Sequence, residues 1–558
     1  MCIRDSVNGH LVGEHRGDYD SFSFDVTGFL HLGANELIVG FFDPIGDAGE
    51  PVGKQIPGAP YSFFHTAVSG IWQTVWLEPV ASRHITGLQL TPELTRSSLV
   101  ISASAAGGGR LTLLATALDG GRAVATATGA PGKPFALQIA QPREWSPWHP
   151  FLYGLHLELL DRGRVVDTVD SYFGMRSISL GRVAGAVRIL LNGKFVFQAG
   201  ALDQGYWPDG LYTPPADAAM RSDILAAKGM GFDMLREHEK VEPDRWYYWA
   251  DRLGILVWQD MPSMSLRRTT APTRAEEAEF RSELDRVVIQ HRSDPSIVMW
   301  IPFNEGWGAF DPTALSRSIR GLAPGELVDS DSGSANCCGT IESPASDVRD
   351  AHLYAGPFAV AADYRASVVG EYGGVLPYPP AGHTWPGVLT SVGFPVQAWP
   401  APPADELLRA QYAGLGQEMR TRGLSAAVFT ELSADEQELG ILTYDRRVYT
   451  MPPALIRALN AGLISTSQHL RSLPSLRPGT PPGADGAWTF SEGAGTIAHD
   501  GARHGQALTL NGGAGWGAGP VLGGRRTGAI AISGPGQAAV SSARILDTRR
   551  SFTVSVWL

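Results

Sequence analysis

The segment Ile297-Val298-Met299-Trp300-Ile301-Pro302-Phe303-Asn304-Glu305-Gly306-Trp307-Gly308 changes character midway. It opens as an apolar run of the kind a doubly buried parallel strand needs. It then breaks into an amide, a carboxylate and two glycines around a tryptophan. A carboxylate and an amide at the carboxyl end of a buried strand lie where a (β/α)8 barrel keeps its chemistry. A second ending of this kind follows downstream, Ala366-Ser367-Val368-Val369-Gly370 and then Glu371-Tyr372-Gly373-Gly374. Either glutamate alone is more often an ordinary strand-end carboxylate. Together, Glu305 and Glu371 point to paired carboxylates acting on one glycosidic bond.

Working outward, strand–helix alternation begins near Arg188. Val196 to Ala199, Phe232 to Arg236, Ile255 to Gln259, Ile297 to Phe303, Leu327 to Asp329, Val348 to His352, Ser367 to Glu371 and Ala426 to Thr430 are candidate strands. Their number is the one a barrel requires. Helices are expected at 215–229, 244–252, 273–292, 404–422 and 452–462, the first with Met220, Ile224 and Ala227 at helical spacing. Other strand ends carry polar groups too. Asp203 to Trp207 follows strand one, Arg236-Glu237-His238 strand two, Asp260 strand three, and His352-Leu353-Tyr354 strand six. Asn304 is placed to bond a sugar hydroxyl, or serves only as a turn former. Arg236 is suited to hold Glu371 ionised, or is a plain salt-bridge residue. Trp307 and Tyr372 supply apolar surroundings beside the two acids, and Trp385 and Glu431 are rim candidates. The expected substrate contacts are therefore Asp203, Arg236, His238, Asn304, Trp307, His352, Tyr354, Tyr372 and Trp385.

Outside the barrel, residues 182–463, the pattern is β. Residues 1–80 read as half a sandwich, with Asn8-Gly9 at a hairpin turn and alternating strands at Ser21 to Val26, Asn35 to Phe41 and Ser69 to Leu77. Residues 81–181 continue as short strands at sandwich spacing. Trp145-Ser146-Pro147-Trp148-His149-Pro150 forms a rigid aromatic corner there, better suited to packing against a neighbouring domain than to sugar. Residues 464–484 are rich in proline, serine and glycine and read as a linker. Residues 485–558 return to glycine-rich β segments such as Trp488 to Gly493 and Ala507 to Leu510, an incomplete sandwich.

With 558 residues the chain is too long for one core. A net charge of −11 without a basic cluster argues against nucleic acid and anionic membranes. No apolar run reaches the ~18 residues of a membrane span. The 3 cysteines, Cys2, Cys337 and Cys338, exclude a disulfide framework and form no zinc spacing. No metal and no cofactor are expected. A homo-oligomer is compatible with the sequence, and so is a secreted, extracellular bacterial location. Both ends look cut, since no signal peptide precedes Val7 and Ser551 to Leu558 stops inside a strand. The expectation is a fragment of a longer protein.

At these residues the sequence resembles glycoside hydrolase family 2, the β-galactosidase, β-glucuronidase and β-mannosidase group. The resemblance runs from about Val7 to Gly462. It is carried by Ser69-Gly70-Ile71-Trp72-Gln73, Leu202 to Trp207, Val241 to Tyr248, and Leu253 to Asp260, together with Asn304-Glu305 and Glu371-Tyr372-Gly373-Gly374. It implies a partial sugar-binding-like jelly roll, an immunoglobulin-like β-sandwich and a TIM barrel, in that order. It also implies a retaining exo-β-glycosidase with Glu305 as general acid/base and Glu371 as nucleophile. Retention calls for carboxyl groups ~5–5.5 Å apart, whereas an inverting hydrolase would show ~9 Å. Arg236 to Lys240 departs from the Arg-x-His-Tyr-Pro run of better-known members, which leaves the sugar open. A magnesium site known from some galactosidases has no counterpart motif. Phe490 to Thr496 and the final Ser-Phe-Thr-Val resemble laminin-G or concanavalin-like lectin domains, implying a truncated carbohydrate-binding module. The rival from another class is a non-catalytic carbohydrate-binding protein on a retired barrel; retention of both glutamates speaks against it.

Overall fold

The computed structural model describes residues 2–45, 49–264, 271–336, 343–354, 361–385 and 401–472, with short strands at 397–398, 497–498, 508–511, 515–522, 525–531 and 538–541. Eight parallel strands make the central sheet: Gln198–Asp203, Met234–Glu237, Leu256–Asp260, Ile297–Ile301, Leu327–Val328, Val348–His352, Ala366–Gly373 and Leu424–Thr430. In space they run five-four-three-two-one-eight-seven-six. The sheet therefore curls into a barrel whose seam lies between strands five and six. The Asp347 amide donates to Val328 O at 2.8 Å across that seam, and the Val328 amide donates back to the Asp347 carboxylate. Strands four and seven are buried along their whole length, as strands sandwiched between side-chain layers and outer helices must be.

Among the described residues six α-helices accompany the strands: Asp217–Gly229, Asp244–Leu253, Arg274–His291, Pro312–Leu322, Ala401–Thr421 and Pro453–Ser472. Thr273 and Glu276 form a reciprocal capping box at the third. The Asp311 side chain caps the fourth, which has proline in its first turn. Sequence periodicity alone did not single out that helix. Several boundaries shift, most by a few residues. Strand one starts at Gln198 rather than Val196. The last helix runs to Ser472, beyond residue 464 where the linker was expected. Ile456, Asn460, Leu463, Ser467 and Leu470 explain this, since all are buried and follow one another at three- and four-residue steps.

Ahead of the barrel stands a seven-strand sandwich. Ile85–Glu93, Ser98–Ala105 and Phe135–Gln138 form one sheet; Leu111–Asp119, Arg122–Gly129, Tyr153–Asp161 and Arg164–Phe173 form the other. Leu99, Ile101, Leu113, Leu137, Leu155, Leu157 and Leu159 fill the space between them. The first region holds a three-stranded sheet of Cys2–Val7, His10–Arg16 and Leu37–Phe42. Its first turn has Asn8 and Gly9 both at positive φ, 51° and 78°, the type I′ geometry that Asn-Gly predicts. The expected strands at Ser21 to Val26 and Ser69 to Leu77 are not strands. Neither segment finds a ladder partner among the described residues, and an extended segment without one stays irregular. Leu473–Leu558 forms a separate compact unit with Gly181–Gly185. It contains Leu508–Asn511 as a strand, matching the expectation there. Trp488 to Gly493, Ser551 to Leu558, Cys337 and Cys338 lie outside the described residues.

The aromatic corner packs rather than binds. Trp145 is fully buried and donates from Nε1 to Asp251 O of the second helix at 2.8 Å, while Lys228 Nζ reaches Pro147 O at 2.9 Å. Trp148 stays 45% exposed. Trp145→Ala should therefore destabilise the chain by ~3–5 kcal/mol and Trp148→Ala by less than ~0.5 kcal/mol. Urea unfolding of both variants checks this, and equal losses would contradict the packing role.

Candidate active site

Glu305 sits one turn past strand four, held by a backbone that bends sharply. Its φ is +51° and that of Gly308 is +60°. A Cβ on Gly308 would lie 2.8 Å from Met264 Cβ, so the turn needs glycine there. The Glu305 amide donates to Ser332 O and the Gly306 amide to Asp331 Oδ1, both at 2.9 Å. The turn is thereby pinned to the chain leaving strand five.

Glu371 projects from strand seven. Gly370 before it has no room for a side chain, because a Cβ would fall 2.1 Å from Asp350 Oδ2. The two glutamates meet: one oxygen of each, with a nitrogen of His352, all lie within 4.8 Å of one another. His352 Nδ1 is 2.7 Å from Glu305 Oε1 and 3.6 Å from Glu371 Oε2. On its other side, Nε2 is 2.9 Å from Ser332 Oγ, whose own proton goes to Asp350 Oδ2 in a short hydrogen bond. Ser332 can then only accept from Nε2, and Nδ1 faces carboxylates. Both ring nitrogens donate, which describes an imidazolium. Burial opposes that charge, but Glu371, Glu305 and Asp350 outweigh it and raise the His352 pKa.

Arg236, from strand two, is the other cation. Nε and Nη2 grip both oxygens of Asp260 at 3.0 Å, and Nη2 also reaches Asn304 Oδ1 at 2.8 Å. Nη1 donates to Gly370 O at 3.2 Å and to Glu371 Oε1 at 3.3 Å. Tyr354 completes the set with a short hydrogen bond to Glu371 Oε2. Burial would raise the Glu371 pKa, yet His352, Arg236 and the Tyr354 hydroxyl together bring it down to about 2. His238 bonds Asp260 Oδ2 through Nδ1 at 2.9 Å. Burial first, then Lys54 and Arg236, push its pKa well below the usual value. It is therefore neutral, and His352 and Arg236 are the cations facing Glu371.

Five of the expected contact residues thus reach the pair or its immediate supports: Arg236, His238, Asn304, His352 and Tyr354. Trp307 follows Glu305 and stacks on Phe63 at 5.7 Å. Three others go elsewhere. Tyr372 is a correction: neighbouring strand residues face opposite ways, so its ring is buried against Phe429 and Tyr412 rather than beside the acid. Asp203 belongs to a buried group with Asp223, Glu242, Lys240 and Arg446 around it, and accepts from the Gly205 amide at 3.0 Å. Trp385 packs against Tyr444, 5.6 Å away.

Sequence reasoning missed Ser332 and Asp350, although the polar run Asp329 to Gly333 at a strand end offered a signal. It also missed a wall supplied by residues 49–68. Val52 and Gly53 amides donate to Ser263 O at 2.9 Å. Lys54 pairs with Glu438 at 2.7 Å, His65 with Asp435 at 2.7 Å, and the Thr66 hydroxyl bonds Glu436. Two groups near the barrel mouth have the spacing of metal ligands, Glu305–His352–Glu371 and His65–Asp435–Glu438. In both, hydrogen bonds and resident cations already satisfy the carboxylates.

The model of glycosyl hydrolases family 2 matches residues 84–176, which is the seven-strand sandwich. A putative β-glucuronidase of Formosa agariphila is 28% identical over 54% of this chain and 36% of its own length. A β-galactosidase of Aeromonas hydrophila is 28% identical over 61% of this chain and 33% of its own. The chain thus spans about a third of the length of these relatives. Among solved structures, a β-glucuronidase of Ruminococcus gnavus in complex with D-glucuronic acid superposes with a TM-score of 0.64, at 15% identity and with 83% of each chain covered. At that identity the likeness speaks for the fold.

A carboxyl held at about 2 rather than its ordinary 4.5 adds stability that is full above 4.5 and is lost as the pH falls towards 2. Glu371→Gln removes this contribution. Between about pH 5 and pH 3 the unfolding free energy of the variant should fall less steeply than that of the wild type, by up to ~1.4 kcal/mol per pH unit. Urea titrations across that range measure it, and parallel slopes would refute a depressed Glu371.

Proposed function

We propose that the chain belongs to glycosyl hydrolase family 2 and is a retaining exo-β-glycosidase, removing terminal β-linked sugars by double displacement. The observation that carries this reading is the separation of Glu305 and Glu371, whose nearest oxygens lie within 4.8 Å. A pair that close leaves no room for a water between acid and sugar, so the second carboxylate itself attacks.

In the first step a Glu371 oxygen bonds the anomeric carbon while the bond to the leaving oxygen breaks, and Glu305 gives that oxygen a proton. In the second step Glu305 takes a proton from water, the water oxygen bonds the same carbon, and the Glu371 ester bond breaks to restore the carboxylate. Arg236 and His352 keep Glu371 ionised and aimed. Because Arg236 only donates, the Asn304 oxygen must face it, which turns the amide NH2 away from the guanidinium as the end available to a sugar hydroxyl. The relatives' names favour a galactoside or a glucuronide, and a mannoside completes the set. Within the same proposal, the segment after residue 472 is an accessory carbohydrate-binding unit.

Glu305→Gln and Glu371→Ala should each lower kcat/KM on an aryl β-glycoside at least ~10³-fold. A panel of nitrophenyl β-galactoside, β-glucuronide and β-mannoside identifies the sugar, and NMR of the first-formed product should show the β anomer. Near-normal turnover in either variant, or an α product, would sink the assignment.

A further inference from the structure

At the same end of the barrel a cavity opens, about 530 Å³ in volume, within the ~300–1,000 Å³ of small-molecule sites. Trp207 and Asp209 reach it from the loop after strand one, His383 from the loop after strand seven, and Tyr444, Asp445 and Arg447 from the loop after strand eight. These three strands are consecutive in the sheet, and strand seven is the one that presents Glu371. The cavity therefore shares strand seven with Glu371, while Glu305 comes from strand four.

Its walls are built rather than incidental. His383 Nδ1 bonds Asp445 Oδ2 at 2.9 Å, and the other Asp445 oxygen accepts from Thr443 Oγ1 at 2.6 Å. Two loops are thus tied together through one carboxylate. The Arg446 guanidinium lies 4.0 Å over the Trp207 ring and is itself paired with Asp223 at 3.3 Å, which fixes the indole. Trp385 packs on Tyr444, which gives the tyrosine ring a backing. Arg447, by contrast, is 79% exposed and its contact with Asp445 is long, 3.8 Å.

We propose that this cavity is a second saccharide subsite, taking sugar units beyond the one held between Glu305 and Glu371. Aromatic faces suit the C–H faces of pyranose rings, and short polar groups suit their hydroxyls. Asp209 and Asp445 outnumber Arg447 among the lining charges, which disfavours an anionic ligand. A neutral saccharide matches that lining better than a phosphate or a nucleotide. The identity of the ligand rests on the glycosidase reading, while the test reads binding and not turnover.

The test is isothermal titration on a Glu371→Gln background, where product does not accumulate. Probes are β-linked galactotriose and β-linked mannotriose, each against its own methyl β-monosaccharide. At least one trisaccharide should bind ~10-fold more tightly than its methyl monosaccharide, about 1.4 kcal/mol. Adding Tyr444→Ala and Arg447→Ala should bring the two within ~2-fold. Equal affinities in the parent, or a preference untouched by the double change, would overturn the subsite. A preference that survives in the parent while wild-type protein cleaves no glycoside would unseat the glycosidase reading and leave the subsite standing.

Discussion

Everything at the barrel mouth depends on one buried guanidinium. Arg236 has five N–H donors, and each finds an acceptor: two on Asp260, one each on Asn304, Gly370 O and Glu371. Arginine can neither accept a hydrogen bond nor lose its proton in this setting. The arrangement therefore dictates the orientation of every partner. Strands two, three, four and seven are joined at their carboxyl ends by one side chain. A buried cation normally costs more in lost hydration than one ion pair returns. Here two carboxylates share it, and an amide and a carbonyl satisfy the remaining donors, which removes the penalty of unmade bonds.

A consequence is a division of labour between two otherwise similar acids. Glu371 is surrounded by Arg236, His352 and the Tyr354 hydroxyl, so its charge persists far below neutral pH. Glu305 is the more open of the two, with 18% of its side chain exposed, and has His352 as its close partner. Double displacement needs one carboxylate that is always ionised and another that passes a proton back and forth. Under the proposed mechanism Glu371 suits the first role by its depressed pKa, and Glu305 is offered for the second as the more exposed of the two. His352 links the two, since its charge stabilises Glu371 while its Nδ1 faces Glu305.

Much of this was legible in the sequence, and the reasons are physical. Strands four and seven are buried on both faces, so they read as unbroken apolar runs, and a run ending in polar residues marks the mouth of a barrel. Arg236, Asn304, Glu305, His352 and Glu371 all sit at such endings. Tyr372 failed because adjacency in sequence is not adjacency in space along a strand; the residue after an inward-facing acid faces outward. The strands expected at Ser21 to Val26 and Ser69 to Leu77 failed for a related reason. Alternation describes a side-chain pattern, whereas a strand exists only where a neighbour supplies hydrogen bonds. The helix past residue 464 was hidden by Gly462 and the serines that follow it, residues that suggest a loop until the buried spacing of Ile456, Leu463 and Leu470 is seen.

What no local pattern could show is that residues 49–68 complete the site from hundreds of positions away. The loop after strand eight carries Glu431, Asp435, Glu436 and Glu438, and Glu431 and Glu438 share the amide of Gln204. Four acids gathered on one loop repel one another strongly where water is scarce. Lys54 answers Glu438, His65 answers Asp435 and Thr66 answers Glu436. Phe63 then lies under the Lys54 ammonium, 5.5 Å away, and stacks on Trp307, the residue two places after Glu305. The same segment that balances the charge of one mouth loop thus supports the turn carrying the other acid. An isolated barrel would hold both glutamates but lose these contacts, so the geometry around the acid pair belongs to the barrel and the amino-terminal region jointly.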